Sequence, residues 1–599
     1  MSDITFRPGA PPDSATPMDR GVSRYRRWAR WYEHVRCPGL VLAVVVACLY
    51  GPFLGCDFTL DDYRMMRLLR EYDAGRRETL DLYRFLSGGV DNQAKRAAGW
   101  YPWWLGDDVR YRHLRPLGEA AIRAEYWLFG ETPFFYRVVT VAVYALGVRL
   151  VLAFYRSLGG KERRARWGAL AFAVAASHTI PVLFLSAQGD VVSLALTAGA
   201  MLGAARFIRD RTTWGLILAV VCYSLGLGVK EAVLPVAVLP LALAWVFRGR
   251  TRVWRRAVGV TALLVGIGLG WLAVYARGGY GADTFLMLDP VHAPWGYLAA
   301  LPGRALVLLS TWPIPVNPFI FYFCPGWHRG LYIFGALGAL VLCLLVRSYY
   351  RNHRGEGDTA AMAFWALPFL PLLVCTVPDD RVMMLPGIGL AYLAAVWITR
   401  PGIDGSVCVR KLPVVLFVAL QISTGIGVSG IMRFIEHGAT RMVTAAVDGF
   451  GRALQPGDHV FFLNSPENLH ALFTQDRCRC VTGSNDVHAG FLSDVASPRI
   501  EVVDDHTLRI EAKDEPLMTT FVGLMGRTRE RPKRVGDVLE AGVFRGRIVE
   551  MDGEGVTAVE LRFDQPLDSD SYRFYWCSRW SPPELRSFSG WASGDRGGA

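Results

Sequence analysis

The stretch PGLVLAVVVACLYGPFLGCDFTLDDY, residues 38–63, decides how the rest of the chain is read. From Pro38 to Gly55 no residue is charged. A helix crossing lipid satisfies every backbone N–H and C=O internally and needs about 20 mostly apolar residues, so this run reads as a membrane span. A basic leader, residues 1–37 with Arg24, Arg26, Arg27, Arg30 and Arg36, precedes it, and Asp57, Asp61 and Asp62 follow it. Basic flanks stay in the cytoplasm, so the leader is expected inside and the carboxylates outside. The leader is too long for a typical cleaved signal peptide, and the span is read as an uncleaved anchor.

Similar apolar runs recur near 134–155, 167–185, 190–207, 213–229, 231–247, 257–275, 330–346, 361–377, 383–399 and 412–432, which with the first makes about eleven spans. Every second connection is basic: Arg156 to Arg166, Arg206 to Arg211, Arg248 to Arg256, Arg347 to Arg354 and Arg400 to Lys411. The others are acidic or mixed: 57–133, Asp190, Lys230-Glu231, 277–329 and Asp379-Asp380-Arg381. That alternation assigns the second set to the outer side. Residues 304–323 are also apolar, but Pro313, Pro315 and Pro318 interrupt them, and counting them as a span would invert the later clusters. They are read as re-entrant or interfacial.

Composition agrees. Of 599 residues 52% are apolar and 20% charged, which excludes disorder and fibrous repeats. The net charge of +12 comes from clusters between apolar runs and not from one basic face with aromatic platforms, so no nucleic-acid partner is expected.

The expected organisation is a polytopic α-helical membrane protein: a cytoplasmic leader 1–37, a transmembrane domain 38–433 with a first outer loop 57–133, and an outer C-terminal α/β module 434–599. In the module, His459 to Leu463, Ile500 to Val503, Thr507 to Ile510 and Ala558 to Phe563 read as strands, Ser465-Pro466-Glu467 as a helix start, and Asp552-Gly553 as a hairpin turn. Cys478 or Cys480 could bridge to Cys577 if the module faces an oxidising compartment. Trp100, Tyr101, Trp103 and Trp104 suit a segment at headgroup level.

The outer charges carry the chemistry. Carboxylates just beyond a span end are partly desolvated, which raises their basicity toward a hydroxyl proton, although a helix cap explains Asp61-Asp62 equally well. A second pair, Asp107-Asp108, precedes Arg110, Arg112, His113 and Arg115. Those cations suit an anionic headgroup held beside a base, against the plainer reading of an amphipathic surface segment. His178 lies in an apolar run closed by Gln188-Gly189-Asp190, where structure is the commoner role. Lys230-Glu231 sits in a short outer turn and could clamp a phosphate or simply form a local ion pair.

Asp61-Asp62 after the first span, Arg115-Pro116-Leu117 before the second, Phe129-Gly130 with Pro133 and Tyr136, the segment His178 to Asp190, Lys230-Glu231, and Arg381 through Leu385-Pro386-Gly387-Ile388-Gly389 occur in an order that resembles the GT-C superfamily. These are polytopic glycosyltransferases using polyprenyl-phosphate sugars, and the likeness is nearest to the O-mannosyltransferase-like branch. It covers roughly residues 38–435. The tail lacks the TPR repeats of that branch, and Ser177-His178-Thr179 stands where a His-Pro pair is common.

The resemblance implies a GT-C-like fold and inverting transfer of a sugar from a polyprenyl-phosphate donor to an outer hydroxyl on protein, lipid or glycan. It implies Asp62 as base, with Asp61 as the close alternative and Asp108 or Asp107 positioning acceptor or sugar. Arg115, Lys230 and Arg381 would hold the donor phosphate, Glu231 would orient Lys230, and His178 and Asp190 would support the cavity. No metal-ligand spacing demands an ion, though the outer carboxylates could recruit a divalent cation. The expected location is a bacterial inner membrane. Two rivals belong to other classes: a transporter or lipid flippase, and a membrane scaffold whose enzymatic core has decayed.

Overall fold

The computed structural model describes residues 27, 31–59, 61–249, 252–288, 290, 294–318, 328–352, 356–399, 417–431, 433, 457–465, 476, 478, 488–553, 555–578 and 583–588. Helices dominate as far as residue 431, and strands dominate from residue 459.

Among the described residues three helices are long and apolar enough to cross a membrane: Pro133–Ser157, Leu185–Asp210 and Val253–Arg277. Shorter apolar helices occupy Pro38–Phe53, Thr213–Val229, Glu231–Val246, Gly330–Val341, Gly357–Leu373, Gly387–Ile398 and Phe417–Ile431. Leu185–Asp210 is the hub of this part, packed between Pro133–Ser157 and Thr213–Val229. Outward faces stay apolar: Leu40, Leu146, Val221, Leu269 and Leu340 are all exposed. A soluble surface would not carry a stripe of that kind on so many helices.

Several apolar runs that read as continuous spans are broken. In 167–185 the helix Glu162–Ala173 stops, and a 3₁₀ turn Ala176–His178, a short helix Thr179–Leu183 and a second 3₁₀ turn Leu185–Ala187 follow. Pro181 has no N–H to continue the ladder. Pro235 lies within the 3₁₀ segment Glu231–Val238, and Pro368 and Pro371 divide Gly357–Trp365 from Leu370–Leu373. Backbone of this sort at membrane depth survives only where protein or a cavity surrounds it.

The connection 57–133, the first loop, carries its own folded elements. Its helix Asp61–Asp73 packs Met65, Met66, Leu68 and Leu69 against Leu80, Leu82, Tyr83, Ile122 and Tyr136. Strand Arg110–Arg112 pairs antiparallel with Arg84–Leu86 on one side and Gly281–Asp283 on the other, so it joins this loop to the connection after Val253–Arg277.

The C-terminal part holds two sheets. One is antiparallel, in the order Arg499–Asp504, Thr507–Glu511, Gly555–Phe563, Phe544–Asp552, Val538–Glu540. Its central hairpin turns at Gly553 with φ +57°, the glycine expected from Asp552-Gly553. The second runs Glu584–Arg586, Tyr572–Trp576, His459–Phe462, His488–Phe491, with parallel pairing among the last three. The expected helix start at Ser465-Pro466-Glu467 falls on residues 466–470, outside those described. Cys478 and Cys577 are buried in one apolar cluster with Val460, Phe462, Phe491 and Tyr575, and Cys480 lies outside the described residues.

The tryptophans of the first loop correct the headgroup reading. Trp103 and Trp104 are buried in the core of the C-terminal sheets with Phe461, Leu492, Val522, Phe544 and Phe563. Trp103 Nε1 donates to Leu492 O at 3.0 Å, and a Cβ on Gly546 would overlap its ring. Aromatic surface alone does not distinguish lipid from a protein partner; here a second sheet supplies the apolar cover.

Candidate functional site

The turn at Thr59 sets the two leading carboxylates in different environments. Thr59 N–H and Oγ–H both donate to Asp62 Oδ2 at 3.2 Å, and Asp62 N–H donates to Thr59 O at 2.9 Å. The Asp62 carboxylate thus reaches back to the Thr59 N–H, one half of a T-x-x-D capping box, while the Thr59 hydroxyl donates to the same oxygen and the Asp62 N–H closes a turn on the Thr59 carbonyl. The other oxygen, Asp62 Oδ1, accepts Ser186 N–H at 2.9 Å, which ties the loop to the broken 174–187 segment. Arg137 holds the same corner by donating to the carbonyls of Cys56 and Asp57.

Asp61 is placed oppositely. It is half-buried, and among the described residues its carboxylate accepts no hydrogen bond. Burial raises its pKa to about 6, with Arg64 and Arg381 pulling down and Asp62 and Asp476 pushing up.

The cations lie on the facing elements, each beside a carboxylate. Arg115 grips Glu231 with two bonds, Nε to Oε2 at 3.0 Å and Nη2 to Oε1 at 2.5 Å, and its guanidinium lies 5.0 Å from the Tyr83 ring. His113 Nδ1 is 3.5 Å from the same Glu231 Oε1. Burial and then Arg115 lower the His113 pKa to about 4, so this ring is neutral at pH 7. Lys230 Nζ donates to Asp190 Oδ1 at 2.5 Å. Arg381 Nε meets Asp379 Oδ2 at 2.7 Å, and Asp379 also caps the turn by accepting Arg381 N–H at 3.1 Å. Arg381 remains 46% exposed, and among the described residues its terminal nitrogens make no hydrogen bond. Asp380 is buried beside Asp379, and burial together with that neighbour lifts its pKa well above the carboxylate range.

Asp61, Asp62, Arg115, Lys230, Glu231, Asp190 and Arg381 therefore form one neighbourhood. Asp62 reaches Ser186, the Ser186 turn opens the helix bearing Asp190, Asp190 holds Lys230, and Glu231 holds Arg115. Arg381 closes the circuit through its electrostatic coupling to Asp190, Tyr111 and Asp61. Glu231 pairs with Arg115, whereas Lys230 takes Asp190, so Glu231 does not orient Lys230 as expected.

The remaining predicted residues lie elsewhere. Asp107 accepts Arg96 Nη1 at 2.8 Å and Gln93 Nε2 at 2.7 Å, and Asp108 accepts the Thr528 hydroxyl. Both carboxylates work at the seam between the first loop and the C-terminal sheets, where Gly106 N–H also donates to Gly526 O at 2.8 Å. His178 is fully buried with Nδ1 2.7 Å from the Tyr144 hydroxyl, and no ionic side chain among the described residues bonds it. Among the described residues no group of three or more His, Cys, Asp or Glu is arranged to hold a metal ion.

Tyr83, Tyr111 and Asp379 belong to the neighbourhood and are not among the expected site residues, and His113, expected only as one cation of the 110–115 cluster, joins them as a neutral ring. Tyr111, His113 and Arg115 are two apart along an extended segment, which puts them on one side, and that period was available as a signal. Asp379 as the partner of Arg381 was visible only as a neighbour in sequence.

No protein-family model matches the chain, and no curated protein matches it. Among solved structures it is similar to the archaeal oligosaccharyltransferase AglB from Archaeoglobus fulgidus, in complex with an inhibitory peptide and a dolichol-phosphate, at 13% identity and TM-score 0.42 over 77% of this chain and 65% of that one. It is also similar to ArnT from Cupriavidus metallidurans bound to undecaprenyl phosphate, at 14% identity and TM-score 0.39 over 75% of this chain and 89% of that one. The chain thus spans just under two thirds of the length of the archaeal enzyme.

Proposed function

We propose that the chain is an integral-membrane glycosyltransferase that moves a sugar from a polyprenyl-phosphate donor to a hydroxyl on the outer side of the membrane. The observation that carries this reading is the electrostatic coupling of Asp61, a carboxylate with no hydrogen-bond partner among the described residues and a raised pKa, to Arg381, which pairs with Asp379 through Nε while its half-exposed terminal nitrogens make no hydrogen bond among the described residues. A carboxylate base near a cation that keeps donors to spare suits displacement of a phosphate by a hydroxyl.

In this reading Asp61 takes the acceptor proton, and the acceptor oxygen bonds to the anomeric carbon from the face opposite the phosphate. The anomeric C–O bond breaks, and polyprenyl phosphate leaves with the bonding electrons. Charge grows on the phosphate, so Arg381, with Arg115 and Lys230 behind it, stabilises the transition state more than the ground state. Glu231, Asp190 and Asp379 keep those cations aimed before substrate arrives. Asp62 becomes a positioning residue, because its three hydrogen bonds leave its oxygens committed to Thr59 and Ser186. Asp107 and Asp108 are assigned to the seam with the C-terminal sheets. About eleven spans, a cytoplasmic leader, an outer module of residues 434–599 and a bacterial inner membrane complete the proposed setting.

The helix breaks at 174–187, 231–238 and 366–370 favour one rival, since transporters build midplane sites from interrupted helices. Purified protein in liposomes, supplied with radiolabelled polyprenyl-phosphate sugar and outer-membrane-face acceptors, separates the two. Label in acceptor supports transfer, and movement of intact donor or solute across the bilayer without transfer supports the rival.

A further inference from the structure

The motif Leu385-Pro386-Gly387-Ile388-Gly389 contains two glycines whose surroundings differ. A Cβ on Gly389 would lie 2.5 Å from Trp365 Cβ and 2.6 Å from Met362 O, so close helix packing alone demands glycine there. A Cβ on Gly387 would meet Phe172 at 3.6 Å, His178 Nε2 at 3.7 Å and Trp312 Nε1 at 3.9 Å, all ordinary contacts. Packing tolerates a methyl at Gly387, yet two polar nitrogens border that space. Both are buried, His178 at 0% and Trp312 at 5% exposure, and among the described residues neither nitrogen has a hydrogen-bond partner. Such groups in a sealed interior are costly unless something pairs with them.

The tautomer follows from the neighbours. The Tyr144 hydroxyl lies 3.1 Å from Ala173 O and 3.3 Å from Phe172 O, both acceptors only, and 2.7 Å from His178 Nδ1. We assign the phenol proton to Ala173 O, the nearer carbonyl, so that the phenol oxygen accepts Nδ1–H and Nε2 keeps a bare lone pair. Trp312 Nε1–H is a donor. The missing partner must donate to one nitrogen and accept from the other, carry no net charge, and fit within a methyl-sized space. We propose that a buried water molecule, bridging His178 Nε2 and Trp312 Nε1 over Gly387, is bound here and pins the interrupted 174–187 segment to the turn that follows the helix Pro294–Ser310. This inference stands independently of the catalytic reading.

The test compares Gly387→Ala and Gly387→Ser in the full-length protein, purified in lipid nanodiscs, by thermal melting. Alanine displaces the water and supplies nothing in return, so the melting temperature falls by on the order of 3 °C, although Gly→Ala in a helix ordinarily stabilises. Serine is larger but carries a hydroxyl that donates and accepts as water does, so it recovers at least half of the loss. Alanine melting at or above the wild type overturns the proposal. Serine melting at or below alanine overturns it as well, because steric crowding would then explain both.

Discussion

The Arg115–Glu231 pair gives the most quantitative handle on the site. Two parallel charge-assisted bonds, at 3.0 and 2.5 Å, join side chains that are 13% and 20% exposed. Removing either partner strands the other, at a cost of roughly 3 kcal/mol by the behaviour of buried pairs. Partial exposure and the Tyr83 ring under Arg115 soften that figure. Replacing both groups removes the stranded charge, so Arg115→Met with Glu231→Gln loses less than the sum. The expected coupling is about 2 kcal/mol. Equilibrium unfolding of the wild type, both single variants and the double variant in mixed micelles yields this energy. The His113 imidazole, 3.5 Å from Glu231 and neutral, contributes little to it at pH 7. A coupling below about 0.5 kcal/mol would refute the claim that the two side chains form one preorganised unit.

Three further outcomes follow from particular residues. Asp61 has a folded pKa near 6, above its unfolded value of about 3.9, so the folded state holds the extra proton between those values, and stability rises as pH falls through 6 toward 4. Asp61→Asn removes that slope and stabilises the protein at pH 7 by on the order of 1 kcal/mol, read by unfolding at pH 5 and pH 7. On the proposed reading, with Asp61 as the base that must be ionised, transfer has the opposite dependence: the wild-type rate is expected to fall about tenfold for each pH unit below 6. Trp103→Ala empties the slot between Gly546, Phe544 and Leu492 and costs about 3–5 kcal/mol, seen as faster proteolysis of the C-terminal sheets with the helical part intact.

Much of the outline was legible because hydrophobic runs and arginine clusters are strong signals. The helices at Pro133–Ser157, Thr213–Val229 and Val253–Arg277 fall on expected runs, as do the strands Thr507–Glu511 and Gly555–Phe563. Continuity was not legible: the runs at 167–185 and 231–247 look like spans by composition, and only Pro181 and Pro235 hinted at the breaks. The coupling of Arg381 to Asp61, Asp190 and Tyr111 depends on how distant elements pack, which residue spacing does not contain.

The distinction between Asp61 and Asp62 sits between these cases. Thr59-x-x-Asp62 is a capping-box pattern readable in the sequence, and it accounts for Asp62 without any catalytic role. The second bond, from Ser186 across 124 residues, was beyond reach of local reading. Trp103 and Trp104 show the reverse failure, because an aromatic cluster suits a headgroup layer and a protein core equally, and only the distant sheets decide between them.

The most direct test compares initial rates of sugar transfer by Asp61→Asn and Asp62→Asn in liposomes, with folding checked by melting. Asp61→Asn is expected to lose at least a thousandfold in rate while folding at least as well as the wild type, and Asp62→Asn, which uncaps the loop, to lose stability and retain measurable transfer. Substantial transfer by Asp61→Asn, with none from a well-folded Asp62→Asn, would contradict the assignment of Asp61 as the base.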